Sequence, residues 1–160
     1  MLSVRAWLHP LPMLRLLGSA ARAAAVAGAL AATVAHADTL PDRAAVRKLA
    51  DGVMGSVGAD NFTGTMSQLQ QVAAAPPERW KEMENRFSVA QTTTLVALGK
   101  AQGYEFIRER LIGESVLRLT YLAKYERGGV GWMLVFYKRT DGWVLADVRL
   151  DPSLSILFLE

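Results

Sequence analysis

The residues of this sequence best suited to chemistry are an aspartate and a tyrosine in its C-terminal third. Asp147 stands among apolar and aromatic residues, and a carboxyl group buried there would have a raised pKa and could act as a base. Tyr121 could donate a hydrogen bond to the enolate that such a base creates. These two residues are the candidate catalytic pair. The alternative is that Asp147 and Arg149 lie near a solvated rim and have no catalytic role.

Aromatic residues in the same region suggest a ligand pocket. Pockets for small molecules are lined mainly by apolar and aromatic side chains with a few polar groups. The alternative is an ordinary aromatic core. The residues that could line a pocket are Tyr121, Tyr125, Trp132 and Phe136, with Asp147 and Arg149 as its polar groups.

The beginning of the chain has the features of a secretory signal. Arginines are the only charged residues before Asp38, an alanine-rich run follows at 23–34, and Ala35-His36-Ala37 is a small-x-small cleavage site. We therefore expect a signal peptide at 1–37, a single domain at 38–160, and export to the periplasm or the exterior. An uncleaved membrane anchor is the alternative, but the apolar run is shorter than the ~20 residues that span a bilayer.

Cleavage after Ala37 would remove every imidazole from a chain that has no cysteine. Both histidines, His9 and His36, precede the cleavage site. The mature chain would then lack a His or Cys nucleophile, a His base, disulfides and any zinc site built on His or Cys. We expect neither a metal nor a cofactor.

The net charge of the mature chain excludes a nucleic-acid partner. Three of the 18 basic residues would leave with the signal while all 15 acidic residues stay, so the net charge of +3 belongs to the leader. Nucleic-acid binding needs a basic stripe, which a near-neutral domain does not supply. We also expect no membrane association after signal removal.

Four apolar runs near the C-terminus are typical of β-strands. They are rich in Val, Leu, Tyr, Phe and Trp, and glycine-containing turns separate them. The runs cover 104–112, 116–126, 130–138 and 143–150, with turns at Gly113-Glu114, Gly128-Gly129 and Thr140-Asp141-Gly142. With two-residue turns, one face would carry Leu117, Leu119, Tyr121, Ala123, Tyr125, Trp132, Leu134, Phe136, Trp143 and Leu145, with Asp147 and Arg149 at its end.

The segment before these strands predicts helices. Apolar residues recur at helical spacing from Val46 to Val57, and a weaker pattern from Phe62 to Val72 can be capped by Asp60 or Asn61. A third helix is expected to begin at Pro76-Pro77 and to end at Leu98 before Gly99; the alternative ends it at the threonines 92–94. A final turn with Leu154, Leu157 and Phe158 is expected to pack back on the domain. Helices first and consecutive strands afterwards predict an α+β fold, with the helices packed on a curved antiparallel meander of four or more strands.

This order of elements resembles the nuclear transport factor two-like superfamily, also called cystatin-like or cone-shaped α+β, and in particular its small exported bacterial members. The resemblance implies a curved sheet around a long helix, a pocket at the mouth of the cone, and in many members dimerisation through the sheet. Enzymatic members use Asp, Tyr or His in that pocket. The residues that carry the resemblance are Gly103-Tyr104-Glu105, Arg118, Tyr121, 125–129, Trp132, 136–138, 141–145 and 151–158.

Three functions follow as hypotheses. The first is an exported, non-catalytic binding or interaction domain, with a second copy of itself as the expected partner through the sheet. The second is a ketosteroid-isomerase-like or dehydratase-like enzyme that uses Asp147 and Tyr121. The third is a carrier of a small apolar ligand.

Overall fold

A computed structural model describes residues 37–159 of the chain. Three helices pack on one face of an open four-stranded antiparallel sheet, so the predicted α+β class is confirmed. The expected signal peptide falls almost wholly outside the described residues, as do His9 and His36. No helix within the described range is long and apolar enough to cross a membrane.

The first two helices begin at capped N-termini. Helix α1 spans Arg43–Gly58, and the side chain of Asp42 accepts the N–H of Ala45 at 2.8 Å. Helix α2 spans Phe62–Val72, and Asn61 accepts the N–H of Gly64 at 2.9 Å. Each cap satisfies an amide that has no partner inside its helix. The helical spacing predicted six apolar residues on one face of α1. Leu49 is only partly buried, and the buried ones are Val46, Ala50, Val53, Met54 and Val57.

The third helix continues to Leu98, as predicted, but through an unexpected π-helical turn. Helix α3 spans Pro77–Ala90, the π turn Gln91–Leu95, and α4 Val96–Leu98. The β-branched threonines widen the helix rather than ending it, because the hydroxyls of Thr92 and Thr93 bond back to the carbonyl of Val89. Gly99 ends the helix with φ of 85°.

The sheet has the predicted sequential order. Strands β1 Ala101–Ile112, β2 Val116–Tyr125, β3 Gly128–Arg139 and β4 Gly142–Asp151 pair in chain order, which leaves β1 and β4 as the edges. The two later turns lie upstream of their predicted positions. Residues 126–127 and 140–141 form them, and glycine follows each turn. Each displaced turn changes the pairing of its two strands by an even number of residues. The side chains up to Leu145 therefore lie on the faces predicted for them.

A β-bulge in β4 overturns the predicted face of Asp147 and Arg149. Phe136 pairs with Leu145, whereas its neighbour Val135 pairs with Asp147, so Ala146 is an extra residue. An extra residue reverses the alternation of side chains beyond it. We call the face that carries Phe136 the inner face and the other the outer face. Asp147 and Arg149 belong to the outer face, and Val148 and Leu150 take their places inside.

The helices cover the inner face and the C-terminal segment covers part of the outer face. A 3-10 turn, Ser155–Phe158, buries Ile156 against Gly131, where the outer face has no room for a larger side chain. The guanidinium groups of Arg108 and Arg118 donate to the carbonyls of Leu157 and Leu159. Only part of this turn packs back, since Phe158 is 80% exposed, contrary to the prediction.

Candidate ligand-binding site

A pocket of about 370 Å³ lies between the helices and the inner face of the sheet. The junction of α1 and α2 forms one wall, the C-terminal half of the α3–α4 helix forms another, and the β2–β3 hairpin forms the floor. Its apolar lining consists of Val57, Phe62, Phe87, Leu95, Val96, Tyr125, Trp132 and Leu150. Its polar lining consists of Asp60, Asn61, Thr65, Gln91, Gly99, Lys100 and Glu126.

Aromatic rings form the floor of the pocket. Trp132 and Tyr125 project from the sheet and are almost completely buried. Phe87 of α3 packs edge-on against Trp132, with 5.5 Å between ring centroids and 64° between ring planes. This geometry is favourable for aromatic pairs and fixes both rings. The floor is therefore rigid and apolar.

The π turn forms the wall opposite the α1–α2 junction. Gln91 and Leu95, its first and last residues, both line the pocket. Turns of this kind occur frequently at functional sites, because the wider turn displaces side chains from the positions that an α-helix gives them. A regular α-helix would not place these two side chains in the same way.

Two carboxylates hold the rim of the pocket to the linker that leads into β1. Asp60 accepts the N–H of Ala101 at 3.1 Å, and Glu126 accepts the N–H of Lys100 at 3.4 Å. Arg127 donates to the carbonyl of Ala97 at 2.7 Å, at the end of α4. These contacts bind the hairpin, the helix end and the α1–α2 turn to one another around the opening.

Burial and the Asp60 carboxylate raise the pKa of Tyr125 to about 12. The phenol of Tyr125 is therefore neutral at physiological pH. Trp132 offers a second neutral donor, since its buried indole N–H has no hydrogen-bond partner in the described chain. An unpartnered buried donor costs about 1–3 kcal/mol.

Alkaline pH is expected to destabilise the fold partly through Tyr125. The pKa of Tyr125 is raised from 10 to about 12 in the folded protein, so folding favours the neutral phenol. The stability that this difference contributes is fully present below pH 10 and is lost as pH rises through 12. Urea unfolding of the wild type and Tyr125→Phe across this interval should show a shallower loss of unfolding free energy in the variant. Parallel losses in the two proteins would contradict the assignment.

Of the six predicted site residues, only Tyr125 and Trp132 line this pocket. Phe136 is a fully buried core residue on the same face. Tyr121 is also fully buried, and its hydroxyl donates to Asp51 of α1 at 2.8 Å. Burial and this hydrogen bond raise the pKa of Tyr121. Its role is to join α1 to the sheet, together with Arg47, whose guanidinium bonds Asp51 at 3.1 Å.

The candidate catalytic pair is not brought together. Asp147 pairs with Arg149 at 2.8 Å on the outer face, where their side chains are 36% and 65% exposed. Tyr121 is buried on the inner face of the sheet. The two side chains therefore lie on opposite faces, and no single cavity can present both side chains to a substrate. Asp147 borders a separate open groove of about 720 Å³ between β4 and α3. The positions of Asp147 and Tyr121 therefore do not support their joint action on one substrate.

Most of the residues that surround the pocket were not among the predicted site residues. Phe87 is a buried residue of α3, and nothing in its spacing distinguishes a pocket wall from a core contact. Asp60 stands at a turn with φ of 55°, which is uncommon outside glycine and tolerated by Asp. In the described residues, no cluster of His, Cys, Asp and Glu is suited to a metal ion.

No protein-family model, no curated protein and no solved structure matches this chain. The architecture and the geometry of the pocket are therefore the basis for assigning a function.

Proposed function

We propose that this domain binds a small, largely apolar molecule in the pocket between its helices and its sheet. The observation that carries the proposal is an aromatic-floored pocket of about 370 Å³. Ligand sites typically have a volume of about 300–1,000 Å³ and an apolar lining with few polar groups. The polar groups of this pocket are concentrated at its rim. Binding without chemistry fits this arrangement, because the proposed base and hydrogen-bond donor lie elsewhere.

We further propose, from the sequence, that the domain is exported and belongs to the nuclear transport factor two-like superfamily. The helices-then-meander order and a pocket between helix and sheet support that assignment. A carrier of a small apolar ligand in the periplasm or outside the cell would combine the first and third hypotheses.

Filling the pocket is expected to abolish binding. Leu95→Trp adds an indole ring to the π turn and occupies the space that a ligand would need. N-phenyl-1-naphthylamine, a neutral apolar dye that fluoresces on entering apolar sites, serves as the probe. We expect the wild type to bind the dye and the variant to bind it at least tenfold more weakly, equivalent to about 1.4 kcal/mol.

Val89→Trp is the matched control for this experiment. Val89 belongs to the same helix, is 61% exposed and does not line the pocket. The Val89→Trp variant should bind the dye as tightly as the wild type does. Equal binding by both tryptophan variants, or no binding by the wild type, would overturn the proposal.

An exposed apolar patch at one end of the outer face favours a second, compatible function, which is association of two copies. Ile112, Val116 and Tyr137 are neighbours on β1, β2 and β3, and Ile112 and Tyr137 are 47% and 49% exposed. Exposed apolar patches commonly mark interaction surfaces. Light scattering on residues 38–160 should give a dimer mass that Tyr137→Glu reduces to a monomer mass. A monomeric wild type at high micromolar concentration would contradict this.

A further inference from the structure

We infer that the ligand of this pocket carries a positively charged, amine-type group that lies at the rim between Asp60 and Glu126. The inference rests on the proposed function and specifies the chemical class of the ligand.

The charge of the rim is the first reason. Asp60 and Glu126 are acidic and Lys100 is the one basic residue in the lining. Lys100 forms no ion pair with either carboxylate within the described structure, so their charges are not neutralised by contact. The lining therefore carries a net negative charge next to an apolar interior.

The unused acceptors of the carboxylates are the second reason. The Oδ2 atom of Asp60 and the Oε2 atom of Glu126 accept backbone N–H groups. Their other oxygens, Oδ1 and Oε1, accept no hydrogen bond from the described residues. The backbone contacts engage one oxygen of each carboxylate, and the other oxygen of each remains available to a cation.

The aromatic floor is the third reason. A cation over the face of Trp or Tyr is attracted by the negative charge of the ring face, and more strongly when it is removed from water. Tyr125 and Trp132 both line this pocket. The effect of Asp60 on the pKa of Tyr125 shows that the carboxylate and the phenol interact electrostatically. Aromatic rings next to fixed carboxylates form a surface that attracts an alkylammonium group and repels an alkyl carboxylate.

Three probes with the same apolar chain test the inference: octylammonium, octanol and octanoate. Each is titrated, below its aggregation concentration, against the wild type loaded with N-phenyl-1-naphthylamine. We expect the ammonium compound to displace the dye at a concentration about tenfold lower than octanol does. Octanoate should be the weakest competitor, and added salt should reduce the difference between the charged probes.

The variant Asp60→Asn/Glu126→Gln removes both charges and keeps an oxygen acceptor for each backbone N–H. Asn also tolerates the positive φ of residue 60. We expect its preference for the ammonium probe over octanol to disappear while it still binds octanol, which also shows that the pocket is folded. Glu114→Gln, in the β1–β2 turn at the other end of the sheet, should keep the preference.

The outcomes separate the inference from the function on which it rests. If none of the three probes displaces the dye, both the proposed function and the inference fail. If octanol or octanoate binds as tightly as the ammonium probe, the inference fails and the proposed function stands. The inference also fails if the double variant keeps the wild-type preference, or if it loses affinity for all three probes equally.

Discussion

Phe136→Ala is expected to lower the free energy of unfolding by about 3–5 kcal/mol. Phe136 is fully buried on the inner face of β3, where helices and sheet meet. Its removal leaves a cavity that close-packed neighbours fill only in part, so the cost includes both lost burial and lost packing. This is a large fraction of the 5–15 kcal/mol that stabilises a typical domain. Urea unfolding followed by circular dichroism measures the change.

Tyr137→Ala, one residue away, is the matched control. Its side chain lies on the outer face and is 49% exposed, so we expect a loss of about 1 kcal/mol or less from the monomer. The two substitutions differ by one position, and a register slip by one residue would exchange their effects. Equal losses, or a larger loss at Tyr137, would contradict the assigned faces of the sheet.

Gly99→Ala is expected to destabilise the fold by about 1–3 kcal/mol and to weaken ligand binding. Gly99 has φ of 85° and ψ of −160°, a conformation that is almost restricted to glycine. A Cβ atom added there would also clash with Glu126, whose Oε2 and Cβ atoms would lie 2.5 Å and 3.1 Å from it. Because Gly99 and Glu126 both line the pocket, the strain would displace its rim. Dye titration and urea unfolding of the same variant measure the two effects.

Gly55→Ala supplies a control with the opposite sign. Gly55 is exposed within helix α1, and no atom lies within 4 Å of the position that a Cβ would take. Alanine should therefore stabilise the helix by about 0.5–1 kcal/mol and leave binding unchanged. A destabilisation at Gly55 similar to that at Gly99 would show that backbone conformation is not the reason for the effect.

The elements of the fold could be predicted from the sequence because their signals are local. Periodic apolar residues indicated α1, Asn61 indicated the start of α2, and glycine-rich turns separated the strands. The turn positions were displaced by one or two residues, since glycine follows the turns at Gly128 and Gly142. The pairing of the strands changed by an even number of residues at each turn, so the faces of the strands were preserved.

The bulge at Ala146 could not be predicted in the same way. An alanine in a strand carries no signal for an extra unpaired residue, and the bulge depends on how β4 fits β3. It places Asp147 and Arg149 on the outer face, away from the buried hydroxyl of Tyr121. Predicted faces of side chains are therefore wrong beyond the point where one extra residue changes the alternation along a strand.

The sequence predicted a pocket with an aromatic lining but not the segments that surround it. Tyr125 and Trp132 were included because aromatic residues on one face suggest a cavity. Asp60, Leu95 and Glu126 come from three distant segments, and only the packing of helix on sheet brings them to one opening. The π turn also escaped prediction, because consecutive threonines argue equally for the end of a helix.

The indole N–H resonances of the described tryptophans test the central claim most directly. Trp132 lines the pocket, whereas Trp80 and Trp143 are buried outside it. On titration with N-phenyl-1-naphthylamine, the account predicts a saturable shift of the Trp132 resonance, while those of Trp80 and Trp143 stay nearly unchanged. No shift at Trp132 up to the solubility limit of the dye, or equal shifts of all three, would contradict a ligand site between the helices and the sheet.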